Sequence, residues 1–464
     1  MRMSKGQERE KGESMKRVLV IGTGISGIGA ANLLEKQGNE ILLYDQNEKL
    51  TEEQVRGKLP QGMQVTILLG ALPEDIRKSI DLLVISPGVP VDSEIVTSCK
   101  KDGIPVWGEI ELAYRFSKGK LIAITGTNGK TTTTSLVGEI MKDAIRSVFV
   151  VGNIGIPYTL EADKTSEDSV TVAEISSFQL ETTSEFHPAV SAILNITPDH
   201  LNRHHTMDCY AWTKEQIAAN QTQDDVCVLN YENPYTRDFG EKRCKARVIF
   251  FSSERRLEEG LYLDGESIIL AENGVHKPIL TIHDMNLVGV CNYENVMAAI
   301  AMTRAMGVEV DSICKTIRRF KAVEHRIEFV ATKKGVDYYN DSKGTNPDAA
   351  IQGIRAMTKP TILIGGGYDK QSEYDEWIEA FDGKVKKLIL IGQTAQKIAE
   401  CARRHGFDDI MFAESLQEVV DQCALLAEPG DAVLLSPACA SWGMFPNYEV
   451  RGKMFKEMVH NIKE

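Results

Sequence analysis

Three stretches of the chain repeat one pattern, in which an apolar run of strand length leads into a glycine-rich turn. The runs cover residues 17–21, 121–125 and 361–364, and the turns that follow begin at Gly22, Gly126 and Gly365. Helical periodicity follows the first two turns, over residues 28–37 and from residue 130 to about Asp143. Further strands are predicted at residues 387–391 and 432–435. Strands that alternate with helices predict parallel α/β sheets in all three blocks.

The three blocks predict three domains. We expect an N-terminal Rossmann-like domain at residues 15–108, a central P-loop ATPase-like domain at 109–320 and a C-terminal Rossmann-like domain at 321–464. Residues 109–120 and 318–324 are the expected connections. Short strands between residues 226 and 282 predict an antiparallel edge on an otherwise mostly parallel central sheet. Residues 1–14 are polar and mixed in charge, which predicts a disordered leader and leaves Met15 as an alternative start.

The charge balance argues against several classes of function. The 464 residues include 53 Lys and Arg against 66 Asp and Glu, a formal net charge of −13. Such a chain lacks the broad basic surface that binds nucleic acid or anionic lipid, so we expect neither nucleic acid nor a membrane as a partner. The nine cysteines are scattered without a Cys-x-x-Cys pair, which predicts a reducing, cytoplasmic environment and no zinc site.

The first turn, Gly22-Thr-Gly24-Ile-Ser-Gly27, has the spacing of a dinucleotide-binding fingerprint. Its glycines let the backbone approach a phosphate, and the N-terminus of the next helix offers free N–H donors. Asp45 ends the following strand, where a carboxylate can bond a ribose hydroxyl. Alone, the pattern leaves open an NAD site or a turn that binds no ligand.

The second turn predicts a nucleoside triphosphate site. Gly126-Thr-Asn-Gly129-Lys130-Thr131-Thr132 follows an apolar strand and opens a helix, as a P-loop does. Its backbone N–H groups can cradle phosphate, Lys130 can neutralise charge on the β and γ phosphates, and the Thr131 hydroxyl can bind Mg²⁺. The match to the P-loop pattern is incomplete, because Ile124 stands where the first glycine is expected.

Two polar strand ends in the same block fit a metal–phosphate site. Glu174 follows the apolar stretch 169–173, and the segment Asn195-Ile-Thr-Pro-Asp199-His200 follows another strand. Each could equally be a helix cap or a turn, but beside a P-loop they favour a shared site. His204 and His205 are adjacent and so point in different directions, which predicts surface positions.

Seven segments together resemble the Mur ligase family, over essentially the whole chain from Met15 onward. They are GTNGKTTTT at residue 126, GNIGIP at 152, EISSFQLETT at 174, NITPDHLNRH at 195, EHRIE at 324, NDSKGTN at 340 and SPACASWGMFPNYEVRG at 436. The first is shared with folylpolyglutamate synthetases. SSFQLETT and the last segment resemble the branch of the family that adds D-glutamate.

The resemblance implies roles for individual positions. It implies catalytic roles for Lys130, Glu174, His200 and Lys214. It implies ATP contacts by Gly126, Thr127, Asn128, Gly129, Lys130, Thr131, Thr132, Asn292, Asn295, Arg326 and Asp341. It implies contacts to a UDP-linked acceptor by Ile25, Ser26, Asp45, Ser86, Gly88, Asn153 and His200. It implies metal contacts by Thr131, Glu174, Ser176, His200 and Lys214, and D-glutamate contacts by Lys343, Thr345, Lys370, Ser441 and Tyr448.

The implied reaction is ATP-dependent amide formation between D-glutamate and UDP-N-acetylmuramoyl-L-alanine through an acyl phosphate, in cytoplasmic peptidoglycan precursor synthesis. The resemblance further implies two Mg²⁺ ions, carbamylation of Lys214 and a monomeric enzyme. Two positions depart from the family pattern: Cys291 replaces the usual His of an HNxxN motif, and Tyr448 stands where Phe is common.

Two other functions remain open at this point. The chain could be an amide ligase that adds a different amino acid, although it lacks the DNPR-type motif of the diaminopimelate- or lysine-adding members. It could instead be an NAD-dependent dehydrogenase that carries an accessory nucleotide domain, because the first glycine motif alone fits both.

Overall fold

The computed structural model describes residues 15–321 and 323–463, and their strands form three sheets. The predicted leader, residues 1–14, lies outside the described residues. The mixed α/β class and the mostly parallel sheets are confirmed. None of the described helices is both long and apolar enough to cross a membrane.

The first sheet is parallel and has the strand order β3-β2-β1-β4-β5. Its strands are β1 (Arg17–Ile21), β2 (Glu40–Asp45), β3 (Thr66–Leu69), β4 (Leu82–Ile85) and β5 (Val106–Gly108). Its helices are α1 (Ile25–Lys36), α2 (Glu52–Arg56), α3 (Glu74–Lys78), α4 (Glu94–Lys101) and α5 (Glu109–Phe116). The central strand β1 is an apolar run because helices cover both faces of a parallel sheet.

The second sheet has nine strands in the order β14-β13-β12-β11-β10-β9-β6-β8-β7. The strands are β6 (Lys120–Thr125), β7 (Val148–Gly152), β8 (Val170–Glu174), β9 (Val190–Ile193), β10 (Val226–Asn230), β11 (Arg247–Ser252), β12 (Gly260–Asp264), β13 (Ser267–Glu272) and β14 (Val275–Thr281). Among the described strands of this sheet, only the pairs β12–β13 and β13–β14 are antiparallel, so the predicted antiparallel edge is confirmed over residues 260–281, while β10 and β11 pair in parallel.

Seven α-helices accompany this sheet in the described chain. They are α6 (Lys130–Ala144), α7 (Ser177–Leu180), α8 (Leu201–His204), α9 (Met207–Glu215), α10 (Pro234–Lys242), α11 (Val290–Ala305) and α12 (Val310–Arg319). Short 3₁₀ helices cover Tyr158–Leu160, Ala162–Lys164, Gln216–Ala218 and Ile282–Asp284.

The third sheet has the order β15-β16-β20-β17-β18-β19, and only its β15–β16 pair is antiparallel. Its strands are β15 (Glu328–Lys333), β16 (Val336–Asn340), β17 (Thr361–Gly365), β18 (Val385–Ile391), β19 (Ile410–Ala413) and β20 (Ala432–Leu435). Its helices are α13 (Pro347–Arg355), α14 (Asp375–Glu379), α15 (Ala395–Arg404), α16 (Leu416–Leu426) and α17 (Tyr448–His460).

The first two sheets share one hydrophobic core. Buried side chains of β1 and α1 belong to the same apolar cluster as those of β6 and the 3₁₀ segment Tyr158–Leu160. Helix α1 approaches that segment closely at Gly29, where a Cβ would lie 2.6 Å from Thr159 Oγ1. The first sheet is therefore packed firmly onto the second by apolar contact.

Residues 109–120, expected as a connection, form helix α5 over most of their length. The fully buried Glu111 accepts hydrogen bonds from the backbone N–H groups of Ser184, Glu185 and Phe186 at 2.9–3.1 Å. Gln179 of α7 also donates to the buried Glu109 carboxylate at 2.6 Å. The segment is therefore part of the packed boundary between the first two sheets, which an apolar-periodicity argument does not predict.

Replacing Glu111 with Ala should lower the free energy of unfolding by about 3 kcal/mol, because it leaves buried N–H groups without an acceptor. Urea unfolding followed by circular dichroism measures the change. The control Glu139→Ala removes only a surface ion pair to Lys142 and should cost less than about 0.5 kcal/mol. Equal losses for the two variants would contradict the structural role of Glu111.

Candidate active site

The turn between β6 and α6 has the backbone of a phosphate-binding loop. Gly126 and Gly129 have φ values of 154° and 83°, which a residue with a side chain rarely adopts. At Gly129 the loop also passes so close to α11 that a Cβ would lie 2.2 Å from Asn295 Oδ1. The first turn of α6 follows at Lys130, so its free N–H groups lie at the mouth of the loop.

Two lysines converge on this loop. Lys130 Nζ donates to the carbonyl oxygens of Gly126 and Thr127, both at 2.8 Å. Lys214 Nζ, from α9, donates to the same Gly126 oxygen at 2.9 Å and lies 4.7 Å from the Tyr210 ring centroid. Burial lowers the pKa of Lys130, and burial together with the Lys130 charge lowers the pKa of Lys214 well below its usual value. Lys214 is therefore a buried amine that is readily neutral.

Glu174 ends β8 next to the loop and is buried. Its Oε1 accepts a hydrogen bond from Asn153 Nδ2 at 3.0 Å, whereas its buried Oε2 has no hydrogen-bond partner among the described residues. Ser176 caps α7, with its hydroxyl bonded to Gln179. A buried carboxylate oxygen without a donor fits a cation ligand, because such atoms are otherwise paired.

The third sheet contributes two further cations to the P-loop. Arg326 Nη2 donates to Thr131 Oγ1 at 2.8 Å, and Lys343 Nζ donates to the same oxygen at 3.3 Å. Burial, followed by the charge of Arg326, lowers the pKa of Lys343 to about 8. Nearby, Asp341 is buried and accepts from Ser436 Oγ at 2.7 Å, and burial raises the pKa of Asp341 to about 7. Three cationic side chains, Lys130, Arg326 and Lys343, thus surround one phosphate-binding turn beside the buried Lys214 amine.

A cavity of about 130 Å³ continues from the loop between the second and third sheets. Among its lining residues are Asn128, Gly129, Thr132, Cys291, Asn292, Asn295, Arg326 and Asp341. Asp348, which the sequence analysis missed, also lines it and accepts hydrogen bonds from Asn128 Nδ2 and from Thr197 Oγ1, the latter at 2.8 Å. The sequence signal that could have identified Asp348 is an acidic residue in the first turn of a helix, two residues after the NDSKGTN segment.

A larger cleft, of about 720 Å³, opens at the carboxyl ends of β1, β2 and β4. Gly22, Asp45 and Gly88 line it, while Ile25 and Ser26 start α1 beside it. Asp45 accepts a hydrogen bond from Thr23 Oγ1 at 2.8 Å. The Ser86 hydroxyl packs directly against the turn. A Cβ on Gly22 would lie only 2.5 Å from Ser86 Oγ, so this contact requires a glycine.

Arg203 joins this cleft to the second sheet. Its guanidinium donates to the carbonyl oxygens of Pro87 and Val89, both at 3.1 Å. It also forms an ion pair with Glu181 and lies 4.3 Å from the Phe178 ring centroid. The turn that carries Gly88 is therefore held by a charged group of the central domain, a contact that the sequence analysis did not predict.

The histidines after β9 have different environments. His200 has a left-handed backbone (φ 53°), is half-exposed and lies 4.8 Å from the Phe178 ring centroid. The prediction that His204 is a surface residue is wrong. His204 is buried, bonds Ser177 Oγ at 3.0 Å through Nε2 and packs 5.1 Å from Tyr210, while His205 is exposed. The single-turn helix α8 places one of the two neighbours inside and the other outside.

The residues that the resemblance assigns to D-glutamate fall into two groups. Lys343 lies beside the P-loop with its Nζ 5.0 Å from the Tyr448 ring centroid, and the N–H of Thr345 donates to the Lys343 carbonyl at 2.8 Å. Lys370 is exposed and lies 5.6 Å from the ring centroid of Trp442, which was not predicted.

Ser441 is buried next to Trp442 and lines a small cavity that also includes Gly366 and Gly367. Partial burial lowers the pKa of His200, and Lys370 is one of the charges that lower it further. Lys370 and Trp442 therefore form an exposed pair on the third domain.

Replacing Gly129 with Ala should cost about 1–3 kcal/mol more stability than replacing Gly307 with Ala, and only the first change should weaken nucleoside triphosphate binding. Both glycines have nearly the same φ, 83° and 87°, but a Cβ at Gly307 meets open space. Calorimetric titration and urea unfolding measure the two effects. Equal behaviour of the two variants would rule out the close contact to Asn295 as the cause.

Comparisons with known proteins agree with this geometry. Residues 16–108 match the MurD-like N-terminal domain of Mur ligases, residues 124–303 match the Mur ligase middle domain, and residues 325–439 match the glutamate ligase domain. The chain is 63% identical to UDP-N-acetylmuramoylalanine--D-glutamate ligase of Lachnospira eligens, with 96% of this chain and 99% of that protein covered. It is 55% identical to the protein of the same name from Lachnoclostridium phytofermentans, with 97% and 99% covered.

Solved structures give the same fold at lower identity. UDP-N-acetylmuramate-alanine ligase MurC of Thermotoga maritima aligns with a TM-score of 0.60 at 19% identity, covering 97% of this chain and 100% of that chain. MurF ligase of Thermotoga maritima, solved in complex with ADP, aligns with a TM-score of 0.56 at 18% identity, covering 83% and 91%. With three matching domains and full-length relatives above half identity, the chain belongs to the Mur ligase family.

Proposed function

We propose that this chain is an ATP-dependent ligase that joins D-glutamate to UDP-N-acetylmuramoyl-L-alanine in the cytoplasmic synthesis of peptidoglycan precursors, acting as a monomer. The observation that carries the proposal is the contact of Arg326 and Lys343 with Thr131, across 195 and 212 residues of sequence. It puts cations of the amino-acid-binding domain at the mouth of a P-loop. The relatives that bear the D-glutamate ligase name support the choice of substrates.

The reaction must first activate a carboxylate, because a free carboxylate has no competent leaving group. One carboxylate oxygen of the UDP-linked substrate attacks the γ-phosphorus of ATP, the bond to the bridging oxygen breaks, and ADP leaves. The amine of D-glutamate then attacks the acyl phosphate carbon, gives up a proton, and phosphate departs. Lys130, Arg326 and Lys343 offset the charge of the transferring phosphoryl group, and the three domains position the reactants and exclude water.

The residues near the loop fit Mg²⁺. Glu174 offers a buried Oε2 with no hydrogen-bond partner in the described chain, and hydroxyl groups are carried by Thr131 in the first turn of α6 and by Ser176 at the cap of α7. We propose that these groups, His200 and a carbamylated Lys214 hold two Mg²⁺ ions. When bound, Mg²⁺ neutralises charge on the phosphate oxygens.

Each substrate is proposed to occupy its own site. The cleft of about 720 Å³ receives the UDP group, with Asp45 and Gly88 at its wall. The cavity of about 130 Å³ receives the adenine side of ATP, next to Asn292 and Asn295. Lys370, Ser441 and the neighbouring residues of the third domain bind the carboxylates of D-glutamate.

The activity is tested by measuring phosphate release from ATP with UDP-N-acetylmuramoyl-L-alanine and each common D- or L-amino acid. Only D-glutamate should support fast release that yields an amide product. Release with another amino acid would indicate a different ligase of the family. A nicotinamide fluorescence titration, with displacement by the UDP-sugar, tests the dehydrogenase alternative.

Lys130→Ala should abolish phosphate release while the fold is retained, because one ammonium that stabilises the transferring phosphoryl group is lost. Lys142→Ala is the matched control, since Lys142 lies on the same helix in an exposed ion pair with Glu139. A Lys130→Ala protein that folds and turns over at a rate near the parent's would show that the P-loop assignment is wrong.

Carbamylation of Lys214 should make the activity depend on CO₂. The lowered pKa favours the neutral amine, which is the form that attacks CO₂ and loses a proton to give a carbamate anion. This change places a negative charge beside Lys130 and supplies oxygens for a cation. Strict removal of CO₂ should depress turnover and bicarbonate should restore it, while Lys214→Ala stays inactive under both conditions. Activity that ignores CO₂, together with an active Lys214→Ala variant, would refute the claim.

Lys370→Ala should raise the KM for D-glutamate at least about tenfold and leave the KM for ATP nearly unchanged, because a desolvated carboxylate loses its partner. Lys387→Ala, which removes only an ion pair to Asp409 at the surface of the same domain, should change neither KM. A Lys370→Ala variant with both constants raised equally would place Lys370 in the nucleotide site or in domain closure.

A further inference from the structure

Three side chains of the kinds that bind metal ions cluster where the start of α14 meets the end of α15. None of the three is among the residues that contact the P-loop. A carboxylate oxygen of Asp375, the Sγ of Cys401 and a ring nitrogen of His405 all lie within 4.8 Å of one another. Asp375 Oδ1 is 2.9 Å from His405 Nε2. The three atoms are thus already grouped in a volume that one metal ion can span.

The chain brings these groups together by simple helical geometry. Cys401 and His405 are four residues apart on α15 and its C-cap, so their side chains lie on one face. Asp375 stands at the first position of α14, whose following turn packs against α15. Because only one cysteine and one histidine are close in sequence, the spacing of the cysteines gave no sign of this site.

We propose that Asp375, Cys401 and His405 bind a thiophilic divalent cation of the Zn²⁺ class, with water as the fourth ligand. Sulfur, imidazole nitrogen and carboxylate oxygen are the donors that Zn²⁺ takes in tetrahedral sites. On binding, the Cys401 thiol releases its proton to solvent and the thiolate sulfur forms the metal bond. The hydrogen bond between Asp375 and His405 is exchanged for two metal–ligand bonds.

The surroundings favour this use of the cluster. Glu379 Oε1 lies 3.8 Å from His405 Nδ1, which places a carboxylate behind the imidazole, as in many zinc sites. Arg404 Nη2 lies 3.4 Å from Asp375 Oδ1, but its side chain is mostly exposed and can turn into solvent.

The site ties two elements next to the loop that carries Lys370. Helix α14 begins five residues after Lys370, and Tyr374, directly before α14, bonds Cys439 Sγ through its hydroxyl at 3.1 Å. A cation that holds α14 to α15 therefore stabilises the third domain near the proposed amino-acid site. The proposal itself does not depend on the proposed ligase activity, because the metal is bound by groups outside the P-loop.

The test uses the full chain after treatment with a chelator and titrates it with Co²⁺ alone. Co²⁺ bound to a thiolate gives a near-ultraviolet charge-transfer band, which carboxylate and hydroxyl ligands at the P-loop do not produce. We expect this band in the parent, its loss on addition of Zn²⁺, and a rise of the thermal midpoint with Zn²⁺. Cys401→Ser should abolish the band, while Cys209→Ser, at the exposed cysteine, should retain it.

Two milder variants keep the test decisive if Cys401→Ser does not fold. His405→Ala and Asp375→Asn alter partly exposed groups and should weaken Co²⁺ binding at least about tenfold. The same variants should lose the rise in thermal midpoint with Zn²⁺. A parent without the thiolate band, or a band that persists in these variants, overturns the proposal whether or not the chain is a D-glutamate ligase.

Discussion

Concentrated positive charge around one backbone turn is the constraint on which the rest of the site depends. Lys130, Arg326 and Lys343 converge near the P-loop beside the buried Lys214 amine, and burial lowers the pKa of each lysine. Such an arrangement costs free energy until an anion enters, because like charges are held in a region of low dielectric constant. The geometry is therefore prepared for a polyphosphate, and binding energy is available to hold two domains together.

The same constraint explains why acidic residues stand at the ends of β8 and β16, close to the P-loop. Glu174 and Asp341 are carboxylates buried among these cations. Glu174 has an oxygen without a hydrogen-bond partner in the described part of the chain, and burial raises the pKa of Asp341 to about 7. Neither could be tolerated in an apolar core. Each lies where β8 or β16 ends, so the sheet topology, and not a flexible loop, sets its position.

Much of the fold was predictable because residues that are close in sequence determine each strand, glycine turn and helix. The P-loop at Gly126–Thr132 and an antiparallel edge within residues 226–282 follow from patterns within a few tens of residues. The contact between Thr131 and Arg326 does not follow from such patterns, because apolar periodicity does not indicate which faces of two domains meet. The prediction of a surface position for His204 was wrong for a related reason. A helix of one turn is too short to show the apolar periodicity that identifies its buried face.

Asp348, Trp442 and Arg203 were missed because each acts through a partner far away in sequence. An acidic residue early in a helix, an exposed aromatic ring and a surface arginine are ordinary features when viewed singly. Their importance comes from the residues they contact in the folded chain, which are far away in sequence. The resemblance to a known family could assign the motif positions, but the contacts that support those positions required the coordinates.

The unequal nature of the two domain boundaries has a mechanical consequence. The first sheet meets the second through a shared apolar core, whereas the third meets the second through hydrogen bonds to Thr131, Asn128 and Thr197 and a small apolar contact at Cys291. Opening an apolar boundary exposes its whole area to water, but hydrogen bonds can be exchanged for water at a small net cost. The boundary between the second and third sheets is therefore the easier of the two to open, and the first two sheets are expected to behave as one rigid unit.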